Sequence, residues 1–263
     1  MSRRNRILLR ELVITDFKLR YQGSILGYLW SLLKPLFMFA ILYVVFGLLV
    51  RLGTIQHYPV YLLLGIVLWT FFTEATNQGL ASIVERGDLL RKISFPKYII
   101  VIATTISALI NLIINLLVVA VFMFFNGVDL HMSALLFPLY VLEIYVVALS
   151  LAFLLSAANV KYRDVSHIWE IVMQAAFYAT PIIYPLGVVI EKSALAANIL
   201  VLSPVAQAIQ DARYSLITHE SITMASLYGS PYYVIIPIAA TIVLAVFAVT
   251  YFRRSQKYFA ENI

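Results

Sequence analysis

Six apolar stretches follow one another along this chain, each long enough to cross a bilayer core of about 30 Å as a helix of roughly 20 residues. They run from about Leu29 to Val50, Tyr58 to Ala81, Tyr98 to Phe125, Met132 to Ala157, Ile171 to Ile190 and Pro231 to Phe252. A water-soluble domain could not bury so much apolar surface. Of the 263 residues, 62% are hydrophobic and 12% charged, against roughly a half and a quarter in soluble domains. The connections carry an asymmetric charge. Sixteen of the 19 Lys and Arg fall in segments that would share one side of a membrane: Arg3, Arg4, Arg6, Arg10, Lys18, Arg20 and Lys34; Arg86, Arg91, Lys92 and Lys97; Lys161 and Arg163; Arg253, Arg254 and Lys257. Arg51, Lys192 and Arg213 fall on the other side. Loops rich in Lys and Arg stay cytoplasmic, so the expected fold is an all-α membrane protein of six transmembrane helices with both termini cytoplasmic.

The same distribution bears on partners. The net charge of +6 is split among loops, so no long basic patch forms of the kind that binds nucleic acid. With no Cys, disulfides and thiolate metal sites are excluded. His57, His131, His167 and His219 have no metal-ligand spacing, and no G-x-x-x-x-G-K-[ST] phosphate loop occurs. No catalytic residue and no metal ligand is expected.

Two segments depart from a plain bundle. Residues 3–21 read as an amphipathic helix, with Arg3, Arg6 and Arg10 on one side and Leu9, Val13 and Phe17 on another. Such a helix lies in the headgroup plane, either as an orientation anchor or with a role of its own. Between spans five and six, Glu191–Ser230 is too polar to cross and too apolar for a solvated loop. It reads as two short outer-side helices, one starting at Ser203-Pro204, either dipping into the leaflet or lying on it.

Function has three other candidate carriers. The loop Glu85-Arg86-Gly87-Asp88-Leu89-Leu90-Arg91-Lys92 alternates charge with Leu. It is either an ordinary basic loop or a short helix shaped for a groove on a soluble partner. Glu74 and Glu143 lie inside spans, where a carboxyl is costly unless it meets a cavity or a partner. Glu74 sits in the polar run Thr73 to Gln78 and suits a cavity or inter-helix contact; Glu143 is assigned to packing. Aromatics crowd spans one and five (Trp30, Phe37, Phe39, Tyr43, Phe46; Phe177, Tyr178, Tyr184). Belt and core packing accounts for most such rings, although sugars also stack on them.

The stretch Phe17-Lys18-Leu19-Arg20-Tyr21-Gln22-Gly23-Ser24-Ile25-Leu26-Gly27-Tyr28-Leu29-Trp30-Ser31-Leu32-Leu33-Lys34-Pro35 resembles the opening signature of the membrane subunits of polysaccharide ABC exporters, which move O-antigen, capsule or teichoic-acid chains. Gly87 to Pro96 is similar to their segment before span three. Tyr162-Arg163-Asp164-Val165, then Ala179-Thr180-Pro181-Ile182-Ile183-Tyr184-Pro185, looks like their fifth-span pattern, and Ser203-Pro204 with Arg213 like their outer segment. The resemblance implies a homodimer of six-span permeases in the bacterial cytoplasmic membrane, bound to a separate ATPase subunit that holds ATP and Mg. The cargo it implies is a glycan on a polyprenyl diphosphate lipid. Residues 1–28 would be the interfacial helix and its lead-in, 29–190 spans one to five, 191–230 the outer gate helices, and 231–263 span six and a cytoplasmic tail, in a single permease domain. Residues 85–92 would couple to the ATPase. Arg20, Lys34 and Arg163 would meet the diphosphate at the inner mouth. Trp30, Tyr43, Phe46, Glu74, Gln174, Phe177, Tyr178 and Tyr184 would line the conduit. A drug or lipid exporter of the same plan, an ion-coupled transporter and a membrane scaffold are the competing readings.

Overall fold

The computed structural model describes residues 3–20, 23–24, 26–27, 29–52, 55–92 and 95–259, with the side chains of all of these but Phe17 and Arg20. In chain order, α1 (Arg3–Arg20) is followed by α2 (Leu29–Leu42), which continues as a π-helical stretch over Tyr43–Leu49, and by α3 (Tyr58–Glu85). Arg86 alone separates α3 from the six-residue α4 (Gly87–Lys92). Next come α5 (Tyr98–Phe125), α6 (Phe137–Lys161, led in by a 3-10 turn over Met132–Leu136) and α7 (Val165–Ala179). Four short helices, α8 (Leu186–Lys192), α9 (Ala194–Val201), α10 (Pro204–Leu216) and α11 (Met224–Tyr228), lead to α12 (Ile235–Ser255).

The bundle is built around α3. From Val60 to Trp69 every residue is buried, as a helix apolar on all sides requires. It packs on α5 and α6; α12 and α10 cover α6, and α1 runs along α5. Without a hydrophobic drive between helices in lipid, close approach rests on small residues. At Gly79 an added methyl would collide with Ala152 of α6. The buried hydroxyls of Thr76, Ser82, Thr104, Thr105 and Ser107 return their protons to carbonyls three or four residues back in their own helices, so they cost the core little. Phe37, Ile41 and Leu49 in the first span, and Ile242, Val243 and Val246 of α12, are exposed.

Among the described residues, five helical stretches are long and apolar enough to cross a membrane: Leu29–Leu49, Tyr58–Glu85, Tyr98–Phe125, Met132–Lys161 and Pro231–Tyr258. They coincide with five of the six expected spans. The fifth expected span, Ile171 to Ile190, is not one helix. At 1.5 Å per residue the 15 residues of α7 reach only about 22 Å, and the chain breaks at Thr180 before α8 begins at Leu186. Pro181 and Pro185 are the reason: each lacks an N–H and clashes with the preceding turn. The following segment, Glu191–Ser230, also holds more structure than expected, with three helices, α9, α10 and α11, where two were read.

Candidate functional site

A cavity of about 760 Å³ opens between α2, α3, α5 and α7. Helical spacing assembles it. Trp69, Thr70, Thr73, Glu74, Asn77 and Gln78 form one stripe along α3, facing Trp30, Lys34 and Met38 of α2 and Glu170, Gln174, Phe177 and Tyr178 of α7. Trp69 and Phe177 hold each other at 6.2 Å between ring centroids, and Phe177 meets Tyr178 edge-on at 5.3 Å. One part of the wall is therefore aromatic.

The other part is polar. Glu74 accepts a hydrogen bond of 2.7 Å from Asn111 of α5 and one of 2.9 Å from Gln78, a turn further along α3. Two donors fix the carboxylate, which fits a charged-assisted acceptor at an otherwise costly depth. Thr73 Oγ1 and Asn111 Oδ1, by contrast, are buried and have no hydrogen-bond partner in the protein. The polar side chains that do open to the cavity are Lys34, Asn77, Glu170 and Gln174, and with the rings they suit a ligand that brings both hydroxyl groups and a face that stacks.

Immediately beyond this cavity, α7 ends in a region of the opposite character. The break after Ala179 strands a row of backbone carbonyls, which must be satisfied in a membrane protein. Arg213 of α10, fully buried, donates from Nη1 to Pro181 O and from Nη2 to Ile182 O, both at 2.7 Å, and from Nε to Tyr61 O at 3.0 Å. Its guanidinium lies 3.7 Å over the Tyr61 ring. Tyr58 donates to Ile183 O at 2.8 Å, Gln210 to Pro181 O at 3.3 Å, and Tyr184 to Tyr178 O and Ala179 O at 3.1 and 3.0 Å. Gly65 makes room, since a side chain there would strike the Arg213 guanidinium. Together these residues knot α3, α10 and the broken helix into one unit.

The structure thus gathers Trp30, Lys34, Glu74, Gln174, Phe177 and Tyr178 of the expected site into one cavity. Tyr43 stacks on Phe39 at 5.7 Å, and Phe39 lies edge-on to Phe122 of α5, which places Tyr43 outside the cavity lining. Phe46 lies on the π-helical stretch and Tyr184 in the break. Arg163 is exposed ahead of α7, and the Arg20 side chain lies outside the described residues. Trp69, Asn111 and Glu170 join the cavity unanticipated. Asn111 and Asn115 are spaced one turn apart in an otherwise apolar span, and this was the sequence signal for a polar wall on α5. At the far end His57, His131 and His219 share a cleft of about 350 Å³ with Asp129 and Glu220, the rings of His131 and His219 stacked at 4.8 Å. Among the described residues no group of three His, Asp or Glu could hold a metal ion.

Residues 8–217 match the family model of the ABC-2 type transporter. The chain belongs to the ABC-2 transporter family. Over 187 residues it is 33% identical to the O-antigen export system permease protein RfbA of Myxococcus xanthus, covering 71% of this chain and 72% of that protein. Over 178 residues it is 29% identical to the O-antigen export system permease protein RfbA of Klebsiella pneumoniae, covering 67% and 68%. This ABC-2 subunit is a multi-pass protein of the cytoplasmic membrane, and its relatives are named as transport permeases rather than enzymes.

In the ABC-2 chain the segment expected to couple folds as α4. Gly87 is buried and Asp88, Arg91 and Lys92 are exposed, while Leu90, like Leu12 of α1 and Val84 of α3, packs against the buried cluster that includes Ile83 of α3 and Ile100 and Val101 of α5. Arg86, in the turn between α3 and α4, pairs with Asp16 of α1. The exposed edge of α4 is therefore anchored to the helix that carries the cavity's polar stripe.

Proposed function

We propose that this chain is the permease subunit of an ABC exporter that moves a polyprenyl-diphosphate-linked polysaccharide, such as an O-antigen or teichoic acid, across the cytoplasmic membrane. The observation that carries the reading is the cavity, with rings on one wall and, on the other, the fixed Glu74 carboxylate among the exposed polar side chains of Lys34, Asn77, Glu170 and Gln174. A pyranose presents apolar ring faces and a rim of hydroxyls, and both find a counterpart here. The names of the relatives support the same cargo class.

In this reading two copies assemble with a separate ATPase subunit, which binds ATP and Mg and does the hydrolysis. Each copy spans the membrane six times, α7 and α8 together making the broken fifth crossing, with both termini and α4 cytoplasmic. α1 lies in the inner headgroup plane, and α9 to α11 cap the outer side. Residues 85–92 seat in the ATPase, and movement of α4 passes through Arg86 directly into α3 and the polar stripe. Arg20, Lys34 and Arg163 meet the diphosphate, for which cations are suited. Glycan advances by contact with Trp30, Glu74, Gln174, Phe177 and Tyr178; Tyr43, Phe46 and Tyr184 contribute where the two copies enclose the path.

Isolation from the native membrane in mild detergent tests this. The expected result is a soluble ATPase in equal amount, with ATP turnover stimulated by lipid-linked glycan. An ATPase stimulated by a lipid or drug but not by glycan would replace the cargo assignment, and absence of any ATPase would refute the exporter reading.

A further inference from the structure

Glu143 of α6 and Asp211 of α10 have no part in the cavity or in the knot, yet they form the most unusual polar group in the molecule. Asp211 is 6% exposed and Gln207, one turn before it, is wholly buried. The Gln207 amide donates to Asp211 Oδ2 and lies within reach of Glu143. Three acceptor oxygens are then left buried and without a partner: Glu143 Oε1, Asp211 Oδ1 and Gln207 Oε1. The amide has one N–H2 group to share between two carboxylates. Two ionised carboxylates with so few donors cannot coexist in a low-dielectric interior.

The surroundings supply no compensating charge. On α10, Arg213 is two positions on and so faces the other way, its hydrogen bonds spent on the carbonyls of Tyr61, Pro181 and Ile182. Tyr214 on α10 and Tyr140 on α6 are near, and neither is a cation. From α3 the facing titratable groups are Tyr58 and Tyr61, whose hydroxyls are engaged with Ile183 O and Gln210. α12 carries charge only at its distant end, at Arg253 and Arg254. The turn before α6 and α9 carry none, and α11 carries only Tyr228 as a titratable group. A hard metal cation would need about six oxygen ligands, against the three that are free here. A proton needs only two.

We propose that Glu143 and Asp211 form a carboxyl–carboxylate pair that holds one proton at neutral pH and thereby fastens α10 to α6. The proton gives the pair the donor it lacks, bridging the two side chains and removing one of the two buried charges. Burial outweighs the Gln207 hydrogen bond and pushes the Asp211 carboxyl up to about 6, above the ~3.9 of an exposed aspartate. An acid raised in this way favours the folded state most when protonated; its stabilisation falls as pH rises past the ordinary value and is gone above the raised one. The pair gives up its two protons in separate steps, the second at higher pH because it leaves two like charges facing each other. Loss of that last proton drives α10 from α6 while Arg213 still ties its opposite face to the break, so the outer segment swings about Arg213. The site is thus a proton-operated fastening of the outer helices, independent of what the protein transports.

Infrared spectroscopy of the full-length protein in lipid nanodiscs tests it. The expected result is a buried carboxylic-acid C=O band at neutral pH that is abolished by Glu143→Gln. Asp211→Asn should shift the titration of this band to lower pH by about one unit, because the like charge is gone. Amide hydrogen exchange of residues 204–216, corrected for the base-catalysed intrinsic rate, should step up at the pH where the band disappears, and Glu143→Gln should remove the step. Selective carbon-13 labelling of Glu and Asp in the unsubstituted protein assigns the band even if a variant fails to fold. The proposal is overturned if no such band exists at neutral pH, if it survives Glu143→Gln or carries no Glu or Asp isotope shift, if Asp211→Asn leaves its titration in place, or if added sodium or calcium stabilises the protein at high pH with no band present.

Discussion

The two ends of α7 border regions with opposite hydrogen-bond economies. At the C-terminal end every carbonyl named in the break, from Tyr178 and Ala179 through Pro181, Ile182 and Ile183, has a side-chain donor. Along its length the same helix faces a cavity in which Thr73 Oγ1 and Asn111 Oδ1 have none. Both regions also touch α3, so the difference is not one of depth or of neighbouring fold. A break in a membrane helix is tolerated only when its backbone is satisfied, and the knot does this from within the chain. The exposed polar side chains of Lys34, Asn77, Glu170 and Gln174 beside open space are instead suited to a ligand. The contrast separates a region that must stay fixed from one that must stay available.

Substitutions can break this contrast from either side. Arg213→Met should have the largest effect, because it removes three hydrogen bonds from a buried site and leaves Ile182 O with no side-chain donor, at about 1–3 kcal/mol for the stranded group alone; a steep fall in thermal stability in detergent is expected. Gly65→Ala pushes a methyl into the same guanidinium and should cost about 1–3 kcal/mol as overpacking, read in the same melt. Glu74→Ala removes two side-chain hydrogen bonds, worth about 0.6 kcal/mol each in a membrane protein. It should therefore leave the melting temperature nearly unchanged while lowering glycan export. Tyr178→Ala, at an exposed ring, should not alter stability at all, yet should slow export at the cell surface. Reversing the charges of Asp88 and Arg91, both exposed on α4, should likewise spare folding and uncouple ATP turnover from export. A knot substitution that left the melt unchanged, or a cavity substitution that unfolded the protein, would collapse the distinction.

What the sequence reveals follows the same division. Spans one to four and six are visible because apolar length alone specifies them, and α3 is recognisable by its lack of a polar face above Trp69. The break in the fifth span was concealed by composition: Ile171 to Ile190 is apolar enough to read as one crossing, although Pro181 and Pro185 are in plain view. Arg213 could be noticed as an isolated cation in an apolar segment, but its partners are backbone carbonyls, which no sequence pattern marks. In the cavity, Glu74, Gln174 and Lys34 are conspicuous because charge and amide groups are rare in spans. Trp69 and Asn111 are less so, since one reads as core and the other, with Asn115 a turn on, brings no charge to a span of 28 residues. Tyr43 shows the limit of counting rings: a helical face decides whether an aromatic meets a cavity or its neighbour Phe39.

Photo-cross-linking tests the division most directly. A benzophenone amino acid is placed at Tyr178 in one variant and at Tyr58 in another, and each is illuminated during ATP-driven export of radiolabelled glycan. Glycan label at position 178, with none at position 58, is the predicted result. Label at position 58 with none at 178 would mean that the cargo passes through the knot and that the cavity is a packing defect.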